Sequence, residues 1–211
     1  MTKKQPFKTD QEKFWAGKFG DEYISRNYYD EMIVNNIALF SKVFSKIGVP
    51  KSVIEFGPNI GLNLVAINIL SPHTKFSGVE INKSAYNELK KLGYVKAYNQ
   101  SLLNFKTGKK YDLCFTSGVL IHLDPSVLNT AYEVLFQHSK KYILLIEYYN
   151  PTPVEINYRG HQHKLFKRDF AGELIDKYKS KVKLIDYGFV YHKDPFPLDD
   201  ATWFLLEKTQ K

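Results

Sequence analysis

The chain has 211 residues, 44% of them hydrophobic, enough for one sizeable core and about one domain. Its net charge of +8 raises the prospect of a nucleic-acid ligand. However, 22 acids are interspersed among the 30 bases and the only arginines are Arg26, Arg159 and Arg168, so the charge reads as a solvated surface. A single cysteine, Cys114, excludes an internal disulfide, no run reaches the ~18 apolar residues of a membrane span, and the first residues lack an apolar signal core, so a cytoplasmic protein is expected.

Helical periodicity opens the chain. Trp15, Phe19 and Tyr23 recur at four-residue spacing, and the run "DEMIVNNIALFSKVFSKIG" sets Ile33, Ile37, Phe40, Phe44 and Ile47 on one stripe, starting at Asp30 and stopping at Gly48. Then come a strand, "SVIEF", a glycine turn with a helix to Leu70, a strand, "KFSGVEI", a helix capped by Asn82 and closed by Gly93, and a short strand near Val95. A fourth strand, "YDLCFTS", leads to a helix that Asp124 and Pro125 start, and a fifth is "YILLIEYY". After a loop of about twenty residues, "RDFAGELIDKY" reads as a helix, and "VKLIDYGFVYH" and "TWFLLEK" as strands with no helix between them, hence an antiparallel pair at the edge. The alternation predicts an α/β fold: a Rossmann-like, doubly wound sheet of seven strands, mostly parallel with one antiparallel edge strand and helices on both faces. The ligand crevice should lie at the carboxyl ends of the strands. The expected organisation is one domain, with a helical lid over 1–48, a cofactor half over 49–147 and a substrate loop and carboxyl-terminal half over 148–211.

The turn "IEFGPNIGLNL" carries the first chemistry. Gly57 sits where a strand must swing into a helix and Gly61 where that helix must pack close to the sheet. Glu55 precedes them, and Glu80 ends the next strand about twenty residues beyond Gly57, the offset at which an acid accepts hydrogen bonds from ribose hydroxyls. A pyrophosphate needs a glycine at the middle position, where this chain has Asn59, whereas a ribose ligand without phosphates leaves room for that side chain. S-adenosylmethionine has ribose and adenine and no phosphate.

With "IEFGPNIG" as cofactor loop, "GVEIN" as ribose acid and "YDLCFTSGVLIHL" as fourth strand and turn, the chain resembles the class I S-adenosylmethionine-dependent methyltransferases. Within them it resembles the pseudaminic acid biosynthesis-associated methylases, through "FWAGKFGDEYISRN", "GVLIHLDP", "EYYNPTPVEINYRGH", "LFKRDFAGEL", "DYGFVYHKDPFP" and "DDATWFLLEK". Asn59 departs from the general loop and agrees with the narrower group. The resemblance implies that Glu55, Gly57, Asn59 and Gly61 wrap the methionine part of the cofactor, that Glu80 holds its ribose, and that adenine lies against Ile81, Ser101 and Leu102. It also implies that Ser117 or Gly118 offers a carbonyl to the methionine amine, that His122 follows at the substrate side, and that the first helix lids the cofactor with Tyr23, Arg26 and Asn27 facing in. The acceptor it implies is a small anionic molecule, a sugar or an intermediate of a nonulosonic-acid pathway.

Methyl transfer to a carboxylate needs no base, to an amine only a neutral amine, and to a hydroxyl a general base. The candidate bases are Glu147, His161 and His163. Two histidines two apart lack the further ligands of a zinc or iron site, so no metal is expected. The segment 148–167 is where acceptor specificity is expected. Tyr149, Arg159, His122 and Arg168 are its candidate contacts, the arginines suiting a carboxylate or phosphate by their fork geometry. Two alternatives compete: an RNA or other nucleic-acid methyltransferase, for which "YNPTP" stands after the wrong strand, and a non-catalytic cofactor-binding protein. Neither a nucleic-acid nor a membrane partner is expected.

Overall fold

A computed structural model describes residues 7–26 and 30–209. Helices α1 (Asp10–Ala16) and α2 (Lys18–Arg26) come first, followed by α3 (Asp30–Ile47). The Trp15, Phe19, Tyr23 periodicity therefore crosses a break at Gly17, which is extended rather than helical. Thr9 caps α1: its side chain accepts the Glu12 N–H while the Glu12 carboxylate accepts the Thr9 N–H, a capping box. On α3, Phe40 and Phe44 are buried as their spacing predicts, joined by Leu39 and Val43, and the helix stops at Gly48.

The strands and helices that follow are β1 (Ser52–Phe56), α4 (Leu62–Leu70), β2 (Lys75–Glu80), α5 (Lys83–Lys91), β3 (Val95–Asn99), β4 (Tyr111–Ser117), α6 (Leu128–His138) and β5 (Ser139–Glu147). After them come β6 (Val154–Tyr158), β7 (His161–Lys167), α7 (Phe170–Tyr178), β8 (Val182–Val190) and β9 (Ala201–Lys208). Seven strands form one sheet in the order β3-β2-β1-β4-β5-β9-β8. β1 runs parallel to β2 and β4, and β4 parallel to β5; β9 is antiparallel to both β5 and β8. The sheet is thus the mostly parallel, seven-stranded one expected, and its antiparallel strand lies one place in from the edge.

Side-chain alternation divides the core in two. Ile54, Phe56, Cys114, Ile143, Leu145 and Leu206 face α6 and α7, whereas Val53, Leu113, Phe115, Leu144, Trp203 and Leu205 face α3, α4 and α5. Because both faces are covered, the strands read as continuous apolar runs. Local signals set the helix ends: the Asn82 side chain accepts the Ala85 N–H to start α5, and the Asp169 side chain accepts the Gly172 N–H to start α7. Among the described residues no helix is long and apolar enough to cross a membrane.

One element differs from expectation. The segment predicted as a loop forms a separate two-stranded antiparallel sheet, β6–β7. Its turn is Arg159-Gly160, with φ 51 and 84, the pair of left-handed residues of a two-residue type I′ hairpin. Arginine is an unusual first residue for that turn, and Val154 and Ile156 are exposed, so neither turn chemistry nor burial marked the strands.

Candidate active site

The cleft lies at the carboxyl ends of β1 and β4, where the strand order reverses, the position at which open α/β sheets bind ligands. Its cavity volume is about 390 Å³. β1 ends in the glycine turn. The Gly57 N–H donates to the Val79 carbonyl at 2.8 Å, and a Cβ on this residue (φ 77) would lie 2.5 Å from Cγ2 of Val119 on the β4 turn. Gly61 (φ 94) starts α4, and a Cβ there would meet Leu89 Cδ1 at 2.7 Å, so its role is close helix packing and it does not line the cleft. Asn59 lines the cleft in the left-handed region at φ 52.

Three buried glutamates organise the floor. Glu80 accepts the Asn59 N–H on Oε2 at 2.9 Å and the Asn82 N–H on Oε1 at 2.7 Å, tying the glycine turn to the end of β2. Burial pushes its carboxyl up to about 7, against the pull of these N–H groups. Glu55 accepts the Asn63 side-chain amide on Oε1 at 2.7 Å, and its Oε2 is buried with no hydrogen-bond partner. Burial raises it to about 8; Asn63 opposes the shift and the Glu80 charge adds to it. Glu147, at the end of β5, accepts the N–H groups of Val119 and Leu120 on Oε1 and of Ile121 on Oε2 at 3.1–3.2 Å. It lines the cleft and is raised to about 7 by burial, but both its oxygens are engaged in holding the β4 turn.

His122 follows that turn. Its Nδ1 lies 2.6 Å from the Lys164 carbonyl on β7, which can only accept, so Nδ1 carries the proton and Nε2 is the acceptor. Burial holds the imidazole down at about 4, against the Lys164 hydrogen bond, so it is neutral at pH 7. Its ring packs 4.5 Å from Trp15 and 4.9 Å from Tyr158. Ile81, Ser101, Leu102, Ser117 and Gly118 all line the cleft.

Helices α1 and α2 are pinned from two sides. On the sheet side, the Asn82 side-chain amide donates to the Trp15 carbonyl at 3.2 Å and to Asp21 Oδ1 at 3.0 Å. On the hairpin side, the Gln11 side-chain amide donates to the His163 carbonyl at 3.0 Å. Tyr23 and Trp15 line the cleft. Arg26 lies outside its lining, with its guanidinium over the Phe19 ring at 5.0 Å and the Tyr23 ring at 5.8 Å, and with Nε and Nη2 buried without a partner. Asn27, expected to face the cofactor, falls outside the described residues.

The acceptor candidates separate. Tyr158 and Arg159 of the hairpin line the cleft, as do Tyr148 and Asp199, whose side chains share a short hydrogen bond. His161 packs against Phe14 of α1 and Phe19 of α2 at 4.9 and 5.4 Å, outside the cleft lining, and exposed His163 pairs with Glu155 at 2.9 Å. Tyr149 packs on Phe204, and Arg168 is paired with Glu173 at 2.7 Å; both face a small separate pocket. Sequence reasoning missed Glu12, Asn63, Tyr148 and Asp199. Asn82 was legible as a helix cap, but its second role toward the lid was not. Among the described residues no cluster of three or more histidine, cysteine or acidic side chains could hold a metal.

No family model matches the chain, and no curated protein matches it in sequence. The fold is that of the class I S-adenosylmethionine-dependent methyltransferases. The magnesium protoporphyrin IX methyltransferase of Synechocystis PCC 6803, solved with S-adenosylhomocysteine bound, superposes with a TM-score of 0.72 at 12% identity, over 95% of this chain and 100% of that one. The 1,6-didemethyltoxoflavin-N1-methyltransferase of Burkholderia thailandensis, solved with 1,6-didemethyltoxoflavin and S-adenosylhomocysteine, gives 0.71 at 11% identity over 94% and 87%. The N-methyltransferase NodS of Bradyrhizobium japonicum gives 0.64 at 12% identity over 86% and 98%.

Proposed function

We propose that this protein transfers a methyl group from S-adenosylmethionine to a small anionic acceptor, a sugar or an intermediate of a nonulosonic-acid pathway. The observation that carries the cofactor reading is the Glu55–Glu80 pair around the glycine turn, with Glu55 Oε2 buried and unpartnered beside the cleft. A buried carboxyl oxygen without a partner calls for one, and the methionine ammonium is a donor that would draw Glu55, held up at about 8 by burial, into its charged form. Each Glu80 oxygen accepts one backbone N–H and keeps a lone pair for a ribose hydroxyl. Ile81, Ser101 and Leu102 form the adenine end, and Gly57, Asn59, Ser117 and Gly118 surround the methionine end, with Gly61 supporting the turn. Tyr23 closes over them, and Arg26 and Asn27 are the lid's candidates for the cofactor carboxylate.

When bound, the cofactor supplies a methyl group activated by its sulfonium. The protein aligns the acceptor with it and excludes water. Arg159, at the cleft wall, supports the anionic acceptor, and the resemblance to pseudaminic acid biosynthesis-associated methylases supports the sugar pathway. In this reading His122 Nε2, the acceptor nitrogen of the ring, takes a hydrogen bond from that acceptor. Of the candidate bases, Glu147 has its oxygens on backbone N–H groups, and His161 and His163 stand on the outer hairpin. This arrangement favours an acceptor that needs little deprotonation.

The test is to incubate the protein with methyl-labelled S-adenosylmethionine and a cell extract, and to separate small metabolites from RNA, DNA and protein before counting. Label in an anionic small-molecule fraction is expected. Label in RNA or DNA would replace this acceptor with a nucleic acid, and cofactor binding without transfer to any fraction would leave a non-catalytic binding protein.

A further inference from the structure

Glu12 is a buried acid on α1 whose two oxygens have different fates. Oε2 closes the capping box, accepting the N–H groups of Thr9 at 3.0 Å and of Lys8. Oε1 is buried with no hydrogen-bond partner, in a side chain that lines the cleft and is 4% exposed. A carboxylate oxygen stripped of water without a donor is costly, so the geometry calls for a ligand N–H or O–H at this point.

Neighbouring contacts locate that point. The Lys8 ammonium donates to the Leu103 carbonyl at 3.1 Å, which sets the start of α1 over the short turn Leu102–Asn104 that follows β3. Two polar side chains at this end of the sheet hold the local backbone. Ser101 Oγ accepts the Leu103 N–H at 3.0 Å, and the Asn99 amide donates to the Glu80 and Ile81 carbonyls at 2.9 and 3.2 Å. The methionine end, with Glu55 and Gly118, is at β1 and β4, two and three places from β3 in the sheet.

We infer that Glu12 Oε1 accepts a hydrogen bond from the exocyclic 6-amino group of adenine, so that the lid, not the sheet, selects the base. This assignment rests on the cofactor reading above. It makes the lid part of the cofactor site through a residue that also starts the lid's first helix.

The test compares S-adenosylhomocysteine with S-inosylhomocysteine, in which the amine is replaced by a carbonyl oxygen, by calorimetric titration into the wild type and Glu12→Gln. Glutamine keeps the capping box and can present an N–H₂ where the wild type presents an oxygen. The wild type should prefer the adenosyl compound by about tenfold or more, because a site built for a donor is left unpaired by an acceptor. In Glu12→Gln that preference should fall at least about tenfold, with the inosyl compound binding better than it does to the wild type. An equal preference in both proteins, or a wild type that binds both compounds alike, overturns the assignment while leaving the cofactor reading standing. Loss of both ligands in parallel in the variant also overturns it, since the amine would then be irrelevant. A wild type that binds neither compound removes the cofactor reading itself.

Discussion

Asn59 stands where a dinucleotide loop would carry glycine, in a left-handed conformation that asparagine tolerates better than most residues, with its N–H donated to Glu80. Gly57 admits no such substitute, because a side chain there meets both an unfavourable φ and Val119 at 2.5 Å. Gly57→Ala should therefore cost about 2 kcal/mol or more, lower the melting temperature by several degrees, and displace the β4 turn enough to lose S-adenosylhomocysteine binding. Differential scanning fluorimetry with and without that ligand checks both effects, and a variant that still binds with native affinity would show that the turn tolerates the shift. Gly57 and Glu80 were legible because a strand-to-helix turn and an acid one unit later are local patterns. Glu12 and Asn63 were not, because each acts on a partner that only the assembled sheet brings near.

At the scale of elements, α1 and the hairpin meet through Gln11 and Trp15, with His122 packed between them. Asn82 holds the lid to the sheet while capping α5, so Asn82→Ala removes a cap worth about 1 kcal/mol together with its hydrogen bonds to Trp15 and Asp21. Faster proteolysis near Gly17 and at least tenfold weaker cofactor binding are the expected results; unchanged proteolysis would mean that the hairpin contacts alone hold the lid. Arg159 occupies a left-handed turn position that asparagine fills more readily. Arg159→Asn should therefore leave thermal stability unchanged or raised while increasing the acceptor's KM by about tenfold or more, the value of a lost charge-assisted hydrogen bond. Steady-state kinetics alongside melting separates the two, and an unaltered KM would confine Arg159 to the turn.

For the whole molecule, stacking three buried carboxyls under one cleft has a pH signature. The folded values of Glu55, Glu80 and Glu147, about 8, 7 and 7, lie above the ordinary 4.5, so the folded protein keeps protons that the unfolded chain releases. Their contribution is full below about 4.5 and is lost as pH rises through 7 to 8. His122 acts oppositely: lowered to about 4 from 6.5, it adds stability as pH rises through that interval and nothing beyond it. Melting temperature in the absence of ligand should consequently fall between about pH 6.5 and 8, and Glu55→Gln should flatten the upper part of that fall while weakening S-adenosylhomocysteine binding. Melting curves across this range decide it, and a flat profile in the wild type would mean that the glutamates are ionised together already at pH 6.5.

The alternation of strands and helices, the glycine turn, the acid that follows it and the helix ends are written in the residues themselves, because they depend on side-chain period, on backbone sterics and on caps a few residues apart. Tertiary structure decided what depends on distant chain segments meeting. It made a hairpin of 148–167, drew Tyr148, Arg159 and Asp199 into the cleft while leaving His161, His163, Tyr149 and Arg168 outside it, and spent Glu147 on three backbone N–H groups. It also buried one oxygen each of Glu12 and Glu55 without a partner. Whether a polar atom is satisfied is a property of every group packed around it, and no stretch of sequence carries that information alone.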